Sequence, residues 1–158
     1  RLECKQGNIV DIEGNILAQH EGSAFYTIGQ RLRLNHCPEY NGQRLYVIRI
    51  LPEENILIAG KNGDLLSNEL KAGMVRWVNG NQNLKDKQPL PAKVKIRYGG
   101  AAAEALLHLN GNAEDPARGE EVSVSFLQPQ RAITPGQAVV FYQGEDVIGG
   151  GTILESGV

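Results

Sequence analysis

The chain has 158 residues, 41% hydrophobic and 22% charged, and its 16 Lys and Arg against 18 Asp and Glu leave a formal net charge of −2. That length supports one domain or two small ones, the composition argues against disorder, and no apolar run approaches the ~20 residues of a membrane-spanning helix, so no membrane partner is expected. The near-neutral balance excludes tight, sequence-blind binding of nucleic acid through bulk charge, although it leaves room for a local basic strip.

Strand signals dominate from the start. Residues 8–12 alternate polar and apolar, Glu13-Gly14-Asn15 supplies a turn, and residues 16–18 complete a predicted hairpin. Residues 45–51 form a run of β-formers ended by Pro52. Glu53-Glu54-Asn55 then turns the chain into residues 56–59, a second predicted hairpin. Residues 74–78, with Trp77, read as the closing strand of this first region. A polar, turn-rich stretch over residues 79–91 reads as a linker, dividing the chain into domains 1–80 and 88–158. The competing reading is one long hairpin loop within a single domain.

Beyond the linker, residues 92–98 alternate, with Val94, Ile96 and Tyr98 on one face and Lys93, Lys95 and Arg97 on the other. Residues 121–127 repeat the pattern, with Val122, Val124 and Phe126 on one side and Ser123 and Ser125 on the other. Residues 137–142 and 147–154 read as two more strands. Residues 101–109 are rich in Ala and Leu and favour helix by propensity, yet nine residues make a marginal helix and the neighbouring strands need a partner, so a strand is expected. The predicted fold is therefore mainly β: a small β-rich domain followed by an antiparallel β-barrel.

No phosphate loop of the GxxxxGK[ST] type, no GxSxG elbow and no HExxH helix occurs, so no catalytic residue is assigned. Cys4 and Cys37 form no CxxC, which points to a reducing, cytoplasmic setting, and His20, His36 and His108 lack ligand spacing. His36-Cys37 alone is a poor zinc pair, and no metal is expected. Gly149-Gly150-Gly151 lacks the Lys, Ser or Thr of a phosphate loop, and marks a bulge or a close backbone approach. Three groups remain that could meet phosphate: the Lys93, Lys95 and Arg97 ridge; Gln30, Arg31 and Arg33; and Arg131, beside Gln128 and Gln130.

Several short motifs then combine in order. Gly7-Asn8-Ile9-Val10-Asp11, Gly14, His20-Glu21-Gly22 and Phe25-Tyr26-Thr27-Ile28-Gly29-Gln30-Arg31 resemble the central region of the bacterial tRNA-specific 2-thiouridylases, the MnmA/TrmU family, whose pattern there is GDIVD, a hairpin, HxG and YYTxGQRKGL. Lys95-Ile96-Arg97-Tyr98 is similar to the family's KIRYR. Residues 129–137, together with Tyr142, the glycine run and Ile153, are similar to its C-terminal signature. The resemblance covers nearly the whole chain but only the central domain and the C-terminal barrel, the latter similar to a translation-factor-type barrel.

The resemblance implies a parent enzyme that thiolates the wobble uridine of certain tRNAs. Its N-terminal domain, with an SGGxDS-type loop, uses ATP and magnesium, and a cysteine persulfide delivers the sulfur. Neither that loop nor the catalytic cysteines match residues here, and the chain starts at Arg1, so it reads as a piece of a longer polypeptide, inactive alone and needing no cofactor itself. The implied partners are tRNA, the chain's own N-terminal catalytic domain and a sulfur-donor relay protein. Residues 1–78 carry nine cations and nine anions and residues 79–158 seven and nine, which suits a module that adds contacts beside a larger domain. Leu32-Arg33 stands where the family has Lys-Gly, and Gly99 where it has Arg. A divergent paralogue whose modules serve protein docking or scaffold stability, without RNA binding, is the alternative that these departures motivate.

Overall fold

A computed structural model of the chain describes residues 5–34, 42–79, 88–112 and 120–157. Cys4, His36, Cys37 and most of the expected linker lie outside them. The chain divides into two compact units, Arg1–Leu66 and Ser67–Val158.

In the first unit, β1 (Gly7–Val10), β2 (Ile16–His20), β3 (Arg31–Leu32), β4 (Leu45–Leu51) and β5 (Ile56–Gly60) form one sheet in the order β2-β1-β5-β4-β3. Both predicted hairpins are present. They join through a parallel β1–β5 pairing, with Ile9 opposite Leu57. Asp11 organises the first turn: its Oδ1 accepts the N–H groups of Glu13 (2.9 Å) and Asn15 (2.8 Å), while Gly14 takes φ 92°. Ile9, Leu32, Leu45, Val47, Leu57 and Ala59 are the buried core, each large side chain contributing ~1.5–3 kcal/mol by leaving water.

The second unit is a closed barrel of β6 (Leu66–Trp77), β7 (Leu90–Lys95), β8 (Ala103–Asn112), β9 (Glu120–Arg131), β10 (Ala138–Gln143) and β11 (Asp146–Ser156). Around it the order is β10-β11-β6-β9-β8-β7, and β7 pairs back onto β10. Closure removes every free sheet edge. The interior is filled by alternate residues, including Leu90, Val94, Leu107, Val122, Val124, Val139 and Ile153, with Phe141 packed against Trp77 at a centroid distance of 5.7 Å. The Trp77 indole N–H donates to Glu120 Oε2 at 3.0 Å, which satisfies the polar end of a largely apolar ring.

Three sequence expectations meet the structure here. Residues 103–112 are a strand, because pairing on both sides to β7 and β9 outweighs the helix propensity of the Ala/Leu run. The strand containing Trp77 does not close the first unit; it is the twelve-residue β6, the first of the six barrel strands in chain order, so the division falls between Leu66 and Ser67 instead of within residues 79–91. Its period is broken, with Ala72 and Gly73 both buried and Met74 at φ 51°, which is why the pattern did not reveal it. Since β6 and β7 are not neighbours, the stretch between them is not a hairpin loop either. Finally, Tyr98 does not share the interior face of Val94 and Ile96: β7 ends at Lys95, the chain turns, and Tyr98 is fully exposed.

The glycine run is architectural. A Cβ on Gly149 would stand 2.8 Å from Arg76 O, one on Gly150 2.7 Å from Val139 O, and one on Gly151 2.6 Å from Gly73 O. All three therefore allow backbones to approach closely, at strand positions opposite β6 and β10.

Candidate nucleic-acid interface

On β7 the period of two puts Leu90, Ala92 and Val94 inside and Lys93 and Lys95 outside. The neighbours fix what surrounds each cation. Lys93 stands between Tyr142 of β10 and Glu104 of β8, and Lys95 stands opposite Val140. These two lysines project from the outer barrel wall two residue-rises apart, about 6.6 Å along the strand.

Arg97, the third member of the ridge, is differently engaged. Its Nη2 donates to the main-chain carbonyl of Arg131 and, at 2.8 Å, to that of Ala132. Ala132 is buried with φ 51°, a left-handed conformation costly for a residue with a Cβ, and the guanidinium holds that bend in place. Arg131 itself is half-buried at the end of β9. The structure thus joins Arg97 to Arg131 through the backbone, and leaves Lys93 and Lys95 as the outward-facing pair.

Gln30, Arg31 and Arg33 lie in the first unit, all exposed. Gln30 serves a turn: its Oε1 accepts the Thr27 N–H at 3.0 Å, its own N–H donates to Thr27 O, and its carbonyl accepts the Val47 N–H. Arg31 stands opposite Tyr46 across the β3–β4 pair.

The first unit's motif residues converge on a buried knot instead of an open site. His20, 1% exposed, accepts the Gly22 N–H at Nδ1 (3.0 Å), so its proton sits on Nε2, 3.2 Å from the carbonyl oxygen of Asn55. Asn55, at φ 55°, donates from Nδ2 to the carbonyls of Lys5 and Gln6. A Cβ at Gly7 would fall 2.0 Å from Asn55 O, so only glycine fits.

Among the described residues, two surface depressions on the barrel bear on these candidates. One of about 420 Å³ is lined by Glu69, Lys71, Ser123, Ser125 and Glu155, with Lys71 already paired to the buried Glu121 at 2.8 Å, a poor setting for phosphate. The other, of about 340 Å³, is lined by Pro91, Lys93, Glu104, Leu106, Leu127 and Tyr142. Its apolar and aromatic members were not singled out by the sequence, although the alternation of residues 137–142 already put Tyr142 opposite in phase to the core residue Phe141. Among the described residues no three His, Cys, Asp or Glu side chains gather as a metal site, and no helix is long and apolar enough to cross a membrane.

The two units coincide with two domain families: residues 1–61 match the tRNA methyl transferase PRC-barrel domain and residues 67–153 the aminomethyltransferase beta-barrel domain. Over 151 residues the chain is 40% identical to the tRNA-specific 2-thiouridylase MnmA of Acetivibrio thermocellus, covering 96% of this chain and 38% of the relative. With the protein of the same name from Desulfitobacterium hafniense the identity is 42% over 156 residues, 96% of this chain and 40% of the relative. The chain belongs to the tRNA-specific 2-thiouridylase family. It matches the central and C-terminal domains of that family, and so spans about two fifths of the length of these relatives. The family motifs carried here fall into two groups by what they do in this chain. GNIVD, HEG and the glycine run set backbone paths, and of the candidate cations on the barrel only the two β7 lysines face outward with no role in holding the fold.

Proposed function

We propose that this chain is the non-catalytic, tRNA-positioning portion of a tRNA-uridine 2-sulfurtransferase. The supporting observation is the pair Lys93 and Lys95, held on the outer wall of a closed barrel in a family whose relatives are named for tRNA. A rigid strand fixes the spacing of the two cations, so they meet a folded backbone without ordering a loop. Gln30, Arg31, Arg33, Arg97 and Arg131 are secondary members: Gln30 and Arg97 chiefly hold local geometry, while Arg31 and Arg33 extend the exposed basic surface of the first unit. Chemistry belongs to an N-terminal catalytic domain supplied with sulfur by a relay protein. ATP and magnesium do not fit the residues described here: the one glycine run is packed against main-chain carbonyls, which repel a phosphate.

The test is a titration of fluorescent tRNA against the natural full-length protein across a salt series, alongside Lys93→Ala/Lys95→Ala. Loss of affinity, with a salt slope shallower by roughly 0.7–0.9 for each phosphate contact removed, is the expected result. Equal binding by both proteins with no salt dependence removes the ridge as an RNA surface. That outcome would favour the second reading, a protein-docking module, for which the exposed Ile12, Ile16 and Phe25 of the first unit speak.

A further inference from the structure

The 340 Å³ recess on the outer barrel wall has a composition unlike a phosphate site. Its floor and walls come from four strands in register. Tyr142, Lys93 and Glu104 lie side by side across β10, β7 and β8, Pro91 pairs with Leu106 one pleat away, and Leu127 lies one step beyond the Ala105–Phe126 pair of β8 and β9. Leu127 is 58% exposed, high for a leucine on a strand. The Glu104 carboxylate, beside Lys93 at the end of that row, repels phosphate oxygens, and the Pro91, Leu106 and Leu127 side chains offer no hydrogen-bond donors. What fits is a flat, uncharged group with apolar faces and a polar edge, attached to a phosphate that reaches an adjacent cation.

We propose that this recess is a nucleobase site. An unpaired base of the bound RNA stacks on the Tyr142 ring between the Pro91, Leu106 and Leu127 walls, and Lys93 and Lys95 take the flanking phosphates. The carboxylate oxygens of Glu104 accept N–H donors from the edge of the base. Guanine presents two adjacent donors on one edge and uracil one, so the recess selects guanine over uracil. This rests on the tRNA-positioning reading and adds to it: the barrel does more than attract a backbone, since it reads one splayed base.

The experiment uses the natural full-length protein, fluorescent tRNA, and short uridine tracts carrying a single central guanine or none. Tyr142→Ala weakens binding of tRNA and of the guanine-bearing tract by about five- to hundredfold, while Tyr142→Phe, which keeps the ring, stays within about twofold of the parent. Glu104→Gln narrows the preference for guanine. Leu127→Glu alters an exposed position, so its fold is safe, and it places a second carboxylate at the rim; it lowers affinity about as much as Tyr142→Ala. If Tyr142→Ala and Leu127→Glu bind like the parent while Lys93→Ala/Lys95→Ala is weakened, the nucleobase site is overturned and the tRNA reading stands. If the lysine variant also binds like the parent, or the parent shows no salt-dependent binding of tRNA, both fall.

Discussion

At the residue scale, burial and hydrogen-bond inventory separate side chains that shape the backbone from side chains left for a partner. His20 is both fully enclosed and fully satisfied: one ring nitrogen accepts from Gly22, and the other donates to the carbonyl of Asn55. His20→Ala deletes a buried ring and strands two backbone groups, so we expect a loss of ~2–4 kcal/mol, read as a lower urea midpoint at constant slope. Arg97 and the β7 lysines make the contrasting case. Arg97→Ala frees the bend at Ala132 and should lower stability by ~1–2 kcal/mol, and Arg97→Lys should recover little, because the lysine side chain is one bond shorter and its ammonium falls short of the point from which Nη2 donates to both carbonyls. Lys93→Ala/Lys95→Ala should leave the melting temperature within a degree or two while changing RNA affinity, since exposed surface substitutions sit near ±0.5 kcal/mol. The sequence grouped these three cations as equals on one strand face. It could not show that the strand stops at Lys95 and that the guanidinium beyond it turns to two successive carbonyls at the end of β9.

At the element scale, closure of the barrel depends on β6 and on the glycine run opposite it. Gly150→Ala would push a methyl carbon to 2.7 Å from the carbonyl of Val139, a main-chain atom that cannot swing aside. The expected cost is ~1–3 kcal/mol, measured by thermal unfolding of the variant against its parent. The placement of β6 gives a sharper test. A fragment of residues 67–158 keeps all but the first residue of the six strands and should unfold cooperatively, whereas residues 88–158 lack β6, leave β9 and β11 with bare edges, and should aggregate or remain unfolded. Dispersed amide resonances from the shorter fragment would refute the assignment of β6 to the barrel. Among the other barrel strands, β7, β9 and β10 were legible because their faces alternate, as in Val122, Val124 and Phe126 against Ser123 and Ser125. In β6 the irregular stretch at Ala72, Gly73 and Met74 breaks that alternation, and a period cannot be read through a bulge.

At the scale of the whole molecule, two cores of different construction are carried on one nearly neutral chain: an open five-stranded sheet with a parallel pair, and a closed six-stranded barrel. With a net charge of −2, the proposed tRNA-positioning role rests on a few placed cations, so any tRNA binding by these units should show a modest salt dependence, corresponding to a small number of phosphates. What the sequence by itself determined was local or ordered along the chain: the strand-rich class, both hairpins of the first unit, the inward and outward faces of β7 and β9, and the family, carried by motifs in a fixed order. Those properties depend on near neighbours, and the side-chain period of a strand is visible in any short run. Only the tertiary structure decided which unit takes β6, why Gly7 and His20 are required, that Arg97 is a brace, and that Tyr142, Lys93 and Glu104 form one row. Each of these joins residues from strands whose sequence separation is set by barrel closure and register, which are properties of the assembled sheet and not of any segment read alone.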